Sequence, residues 1–194
     1  MDTLQSFIFH VPSKEDGWAV SRLISECPPL DNNSVYCSLL QCHHFAHTSV
    51  AVKRRDELVG FISGYLVPGK TDTLFIWQVA VSQTARGNGL ASQMIDHILS
   101  RENCQAVRFI ETTITEDNKA SWALFQRVAD NYASPLSREI LFDQNKHFIG
   151  HHDSEFLVKI GPLNKRTLSL SRQGETLPTK ATEDNCAAIT GSAC

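Results

Sequence analysis

Two stretches of the chain concentrate residue types that could do chemistry. The first, DNNSVYCSLLQCHHFAHTS (residues 31–49), holds two cysteines, three histidines, an aspartate and a tyrosine. By type alone Cys37, Cys42, His43, His44 and His47 are zinc donors. Their spacing does not suit a metal. A zinc finger separates its Cys pair from its His pair by about a dozen residues, whereas Cys42 and His43 are adjacent. If residues 34–44 are helical, the step from Cys37 to Cys42 turns through about 500°, so the thiols point to different sides. The segment then reads as an amphipathic helix that buries Val35 with Leu39 and Tyr36 with Leu40. The expectation is small buried thiols, partly exposed imidazoles and no metal.

The second stretch is VAVSQTARGNGLA (residues 79–91). A strand that ends in a glycine-rich turn and opens a helix presents backbone N–H groups at the positive end of that helix. Such a turn binds phosphate, and its glycines let the backbone approach the ligand. A Walker loop is excluded, because Leu90-Ala91 follow Gly89 where Lys and Ser or Thr are required. Gly87, Gly89 and Ser92 nearly satisfy a dinucleotide fingerprint, but that fingerprint opens a βαβ unit and is followed about 20 residues on by an acidic residue.

The elements that must hold these stretches follow from periodicity. SFIFHV (6–11) reads as a strand, and Ser13 with Asp16 resembles a helix-opening cap ahead of Trp18, Val20, Leu23 and Ile24 on one buried face. The turn-rich CPPLDNNS offers Asp31 or Ser34 as a cap for the next helix. TSVAVKRRDELVGFISGYLV reads as a hairpin turning at residues 54–57, and LFIWQVAV (74–81) as a central strand covered on both faces. Leu90, Met94, Ile95, Ile98 and Leu99 recur at helical spacing. AVRFIETTIT is a further strand, and EDNKASWALFQRVADNY a helix turning Trp122, Phe125 and Val128 inward. REILFD and SEFLVKI form a closing antiparallel pair, and periodicity ends beyond Gly161. The predicted order is strand, two helices, three strands, helix, strand, helix and two strands: an α/β or α+β layer with a mixed sheet. Residues 1–161 form one domain, and the polar residues 162–194 are expected to be largely disordered.

Totals bound the function. With 194 residues, 42% hydrophobic and 20% charged, the chain suits a single soluble domain. A net charge of -3 provides no basic field for nucleic acid or an anionic membrane. No apolar run is long enough to cross a bilayer. The N-terminus lacks a secretory pattern, and six scattered cysteines suit a reducing compartment, so a cytoplasmic location is expected.

The glycine-rich stretch resembles the acyl-CoA-binding motif Q/R-x-x-G-x-G/A of the GNAT N-acetyltransferase superfamily, and WQVAV and the element order match that fold over about residues 5–161. The resemblance implies a mixed, mostly antiparallel central sheet flanked by helices. It places the pyrophosphate of acetyl-CoA on the loop Arg86, Gly87, Asn88, Gly89, Leu90 and Ala91, and pantetheine along the backbone of Val79 and Val81. EDNKASWALFQR resembles the family's N-x-x-A-x-x-L-Y stretch, with Asn118 and Ser121 as pantetheine-side residues. Phe125 replaces the frequent tyrosine acid and is read as core packing.

PPLDNNSVYCSLLQCHHF resembles the signature P-L-D-x-N-S-x-Y-x-x-L-L-x-x-x-H-F of the diaminobutyrate acetyltransferases of ectoine biosynthesis, and FIWQVAV and HDSEFLVKI resemble further segments of that family. The resemblance implies acetyl transfer to the γ-amine of L-2,4-diaminobutyrate and a homodimer. Asp31, Asn33, Tyr36, Trp77, His152 and Glu155 become the substrate-binding candidates, with Glu155 as general base and Tyr36 or water as relay. The backbone N–H of Val79 would meet the oxyanion, and the cysteines need no nucleophilic role. Alternatives are a GNAT enzyme acting on lysine or a polyamine, and a non-catalytic acyl-CoA- or metal-binding regulator.

Overall fold

The computed structural model describes residues 6–28, 30 and 33–164. β1 (Phe7–His10) leads through a 3-10 turn (Lys14–Asp16) into α1 (Gly17–Ser25), and α2 (Val35–His44) follows. β2 (Val50–Arg54), β3 (Glu57–Leu66) and β4 (Thr73–Val81) run as an antiparallel meander. Then come α3 (Leu90–Leu99), β5 (Phe109–Thr115), α4 (Lys119–Asn131), β6 (Leu136–Phe142) and β7 (Glu155–Ile160). This is the predicted order. The seven strands form one sheet, β1-β2-β3-β4-β5-β7-β6, antiparallel throughout except for β4 against β5.

Local chemistry sets the helix starts. The Ser13 N–H donates to Asp16 Oδ2 at 3.0 Å, and Lys53 Nζ lies 3.0 Å from Asp16 Oδ1, tying β1, α1 and β2 together. Ser34 Oγ accepts the Cys37 N–H at 3.2 Å and caps α2. After α2, Arg101 Nη1 donates to the carbonyls of Ala46, His47 and Ser49 and pins the chain on its way into β2.

Two cores cover the two sheet faces. α3 and α4 bury Met94, Ile95, Ile98, Phe125 and Val128 against Ile62, Ile76, Ile110 and Val158. On the other face α1 buries Val20, Leu23 and Ile24 against Ala51, Phe61 and Ala80. Past Gly161 the chain stays tied to the domain: the Leu163 N–H donates to Arg108 O at 2.7 Å and the Asn164 N–H to Tyr132 O at 3.2 Å. The expected disordered stretch beyond Asn164 lies outside the described residues.

Two packing expectations are corrected. Trp18 is 68% exposed rather than inward. α1 meets α2 at Gly17, where a Cβ would come 2.6 Å from Leu39 Cδ2, and Trp18 is one helical step round from that contact. On α2 the buried row is Ser38, Gln41 and Cys42, with Tyr36 68% exposed. α2 meets β4 through a polar contact, Gln41 to Gln78, so its apolar residues do not mark the inner face. β4 is covered on both faces, as expected: Leu74 and Ile76 enter one core, with Val79 and Val81 packed against it, and Ala80 enters the other; Trp77, 45% exposed, borders a cleft.

Candidate active site

The cleft arises where β4 and β5 part. Their pairing covers only Thr73 with Phe109, Leu74 with Ile110 and Phe75 with Glu111. Beyond it β4 carries a bulge: Ser63 pairs with Gln78 and Gly64 with Ile76, leaving Trp77 unopposed. Gly64 is required there, since a Cβ would come 2.8 Å from Phe75 O. The β4 edge from Ile76 onward is thereby left without β5 as a neighbour, and an extended ligand could add to it as a strand.

A cavity of about 540 Å³ fills the split. Of the sequence candidates, Asn33, Trp77, Val79, Asn118 and Ser121 line it, as do His152 and Glu155 from the opposite side. Asn118 caps α4, its Oδ1 accepting the Ser121 N–H at 3.1 Å, and the cap leaves its Nδ2 unused. Phe125 is 2% exposed within the core and borders the cavity, in agreement with its reading as packing. Tyr36 is 68% exposed and is not among the residues lining this cavity. Asp31 lies outside the described residues.

Glu155 opens β7 opposite Thr115 of β5, with its side chain 19% exposed. His152 Nδ1 lies 2.7 Å from Asp153 O. A carbonyl only accepts, so Nδ1 carries the hydrogen and Nε2 is the atom left to exchange a proton. That Nε2 is 4.0 Å from Glu155 Oε1. The Phe148 ring packs on the imidazole at 4.6 Å between centroids. The loop carrying His152 is internally braced. Asp143 Oδ1 accepts the N–H groups of Lys146 and Asn145 at 2.9 Å each, which hold that carboxyl below the usual aspartate range. The Gln144 N–H donates to Ser154 Oγ, and the Gly150 N–H to Gln144 O.

Further along β4 a second hollow of about 250 Å³ is lined by Val81, Arg86, Gly87, Gly89, Leu90 and Ala91. Gly87 (φ 80°) and Gly89 (φ 67°) take left-handed conformations, and a Cβ on Gly87 would meet nothing within 4 Å. Asn88 shapes this loop from within, its Nδ2 donating to Ala85 O and Arg86 O. Arg86 Nε donates to Val81 O at 3.1 Å. Backbone groups at the start of α3 and two guanidiniums, Arg86 and Arg127, suit a diphosphate.

Sequence reasoning missed Gln78, Gln144, His151 and Asp153 in the first cavity and Arg127 in the second. Gln144, His151 and Asp153 sit in a loop without periodicity. Arg127 was findable, one helical turn from Ala123 and two from Ala120, on the α4 face that borders the hollow. Among the described residues no three of His, Cys, Asp and Glu gather to hold a metal, and no helix is long and apolar enough to cross a membrane. Cys42 is buried while His43 and His44 are exposed, so the donors of the first stretch diverge.

Residues 18–129 match the Acetyltransferase (GNAT) family. The chain is 54% identical over 151 residues to the L-2,4-diaminobutyric acid acetyltransferase of Methylotuvimicrobium alcaliphilum, covering 78% of this chain and 88% of that one. With its Vibrio parahaemolyticus counterpart the identity is 48% over 159 residues, covering 82% and 88%. Among solved structures it is similar to the diaminobutyrate acetyltransferase EctA of Paenibacillus lautus, in complex with its substrate L-2,4-diaminobutyric acid and coenzyme A. That likeness has a TM-score of 0.78 at 34% identity and covers 81% of this chain and 96% of that one.

Proposed function

The chain belongs to the Acetyltransferase (GNAT) family and, within it, to the L-2,4-diaminobutyric acid acetyltransferases, and from that membership we infer that it transfers acetyl from acetyl-CoA to the γ-amine of L-2,4-diaminobutyrate. The product is N4-acetyl-L-2,4-diaminobutyrate, placed in ectoine biosynthesis. The observation that carries the reading is the split of β4 from β5, which sets a strand edge and a phosphate-binding loop beside the Glu155–His152 pair.

The residues divide the work. The loop from Arg86 to Ala91 holds the pyrophosphate of acetyl-CoA, the β4 edge at Val79 and Val81 guides the pantetheine, and Asn118 and Ser121 close its far side. An alkylamine with a pKa near 10 is about a thousandfold protonated near neutral pH, so a proton must leave before attack. Glu155 takes it. His152 Nε2 receives it next, and an imidazole whose side chain is 35% exposed can release it to solvent. Trp77 covers the short alkyl chain, while Asp31 and Asn33 bind on the amine side. The Val79 N–H steadies the carbonyl oxygen as charge develops. Phe125 has no proton to give, and a thiolate, far less basic than an amine anion, departs without an aromatic acid. Both substrates are bound together, so no cysteine is acylated.

Edge strand β6 exposes Ile140, Leu141 and Phe142, and the adjoining loop exposes Ile149. This supports a homodimer, and the composition supports a cytoplasmic location.

Thiol release with acetyl-CoA and a panel of amines tests the function. Fastest turnover is expected with L-2,4-diaminobutyrate, ahead of lysine and polyamines, and unchanged by a chelator. No turnover with diaminobutyrate, or turnover abolished by chelation, would overturn it.

A further inference from the structure

The two sides of the split belong to different halves of the sheet. β4, with its open edge, ends the β1-β2-β3-β4 half, while Glu155 opens β7 in the β5-β7-β6 half. The halves pair over three residues, Thr73–Phe75 with Phe109–Glu111, at the end of β5 far from Glu155. That pairing does not set their separation at the open end, where reacting atoms must lie within about 3.5 Å of each other.

α4 ties down the open end. The Phe109 N–H donates to Asp72 O at 3.0 Å, so Phe109 turns its backbone groups toward β4. Strand alternation gives Thr115, an even number of residues on, the same direction. β4 does not pair with β5 there. Thr115 O instead accepts the Trp122 Nε1–H at 3.0 Å and the Asn118 N–H at 3.3 Å, from the first turn and cap of α4. Thr115 is the β5 residue opposite Glu155, and its Oγ1 donates to Asp117 Oδ1 at 2.9 Å. The same indole also meets the ring of Phe156, the residue after Glu155, edge-on at 6.4 Å. The Arg138 guanidinium of β6 lies 5.5 Å from the Trp122 ring and 5.6 Å from the Phe156 ring. Trp122 is not among the residues lining the cavity, so any effect it has on the reaction passes through these neighbours.

We propose that Trp122 is a positioning residue for the acetyl transfer. Its indole N–H holds the end of β5, and with it Glu155, at a fixed distance from the α4 turn that carries Asn118 and Ser121. This rests on the function inferred above, with Glu155 as its base. Asn118 and Ser121 border the acetyl donor and Glu155 the amine, so the bond sets how far the base stands from the attacking nitrogen.

Kinetics of Trp122→Phe, with and without Glu155→Gln, test the proposal. The phenyl ring keeps an aromatic face for Arg138 and lacks the N–H donor. For L-2,4-diaminobutyrate, kcat should fall about 3- to 10-fold, the range of one hydrogen bond, with KM for acetyl-CoA unchanged. In the Glu155→Gln background the same substitution should change kcat by about twofold or less, since both changes act on one step. A mere packing defect lowers the active fraction by the same factor in both backgrounds. Arg138→Leu, at an exposed position of β6, takes the cation from the same indole and carries the test if the phenylalanine variant does not fold. It should lower kcat about 2- to 5-fold, and only where Glu155 is intact. Equal factors in both backgrounds, an unchanged kcat, or a rise confined to KM for acetyl-CoA overturns the proposal. Glu155→Gln with an undiminished kcat overturns the role of the base, and wild-type protein that fails to acetylate diaminobutyrate overturns the function.

Discussion

Glu155 and His152 are separated by two residues in sequence and by 4.0 Å between Oε1 and Nε2. If Glu155 is the base, Glu155→Gln keeps the shape and removes proton acceptance. Its kcat should fall by about 10²- to 10⁴-fold while KM for acetyl-CoA stays constant; steady-state kinetics with each substrate varied in turn checks this, and a change confined to KM would speak against it. The cysteines have the opposite character. Burial, with a smaller contribution from the Asp16 charge, pushes the Cys42 thiol up to about 12, and burial also raises that of Cys37. Neither offers a thiolate near neutral pH, which agrees with the absence of a nucleophilic role for them. Glu155 and His152 could be read from type and segment, whereas Gln78 could not. Within LFIWQVAV it is one polar residue in a buried run, and only the bulge at Trp77 and the Gln41 contact show what it faces.

Element order was legible because helical spacing and β-rich runs are properties of the chain itself. Leu90, Met94, Ile95, Ile98 and Leu99 are all buried, as their spacing required. Trp18 and Tyr36 were not legible, because which face of a helix is buried depends on its neighbour. A glycine contact at Gly17 and a polar contact at Gln41 decided it. The α3 loop depends on its left-handed glycines. Gly87→Ala meets no neighbour but strains a backbone at φ 80°, a cost of about 1 kcal/mol or more. It should raise KM for acetyl-CoA and spare KM for diaminobutyrate; equal changes in both would remove this loop from cofactor binding. The join of β1, α1 and β2 carries a pH dependence. Burial draws the Asp16 carboxyl upward, but the Ser13 N–H, Lys53 and His10 outweigh it and hold the group below the usual aspartate range. Folding with a depressed carboxyl means that the unfolded chain binds more protons. The stabilisation is therefore present above the unfolded value near 3.8 and is lost as pH falls through the folded one. Asp16→Asn should cost about 2 kcal/mol at neutral pH, shrinking toward zero in acid; denaturant midpoints across pH measure it, and a loss that persists in acid would refute it.

The molecule, over its described residues, is a seven-stranded sheet opened at its one parallel pairing, with the glycine-rich loop and Arg127 around one hollow and Glu155 and His152 beside the other. The residue patterns foretold the fold and the glycine-rich turn between β4 and α3. They did not foretell the braced loop 143–154, whose hydrogen bonds run between polar residues with no repeat, nor the buried polar seam under α2. With Glu155 as the proposed base, the account makes a specific chemical demand: only the amine lying between Glu155 and the β4 edge is deprotonated and acylated. Proton NMR and mass analysis of the product of acetyl-CoA and L-2,4-diaminobutyrate test that demand most directly. One acetyl group on the γ-nitrogen, with the α-amine unmodified, is the predicted result. Acetylation of the α-nitrogen, a mixture of both, or no acetylated product would contradict the account.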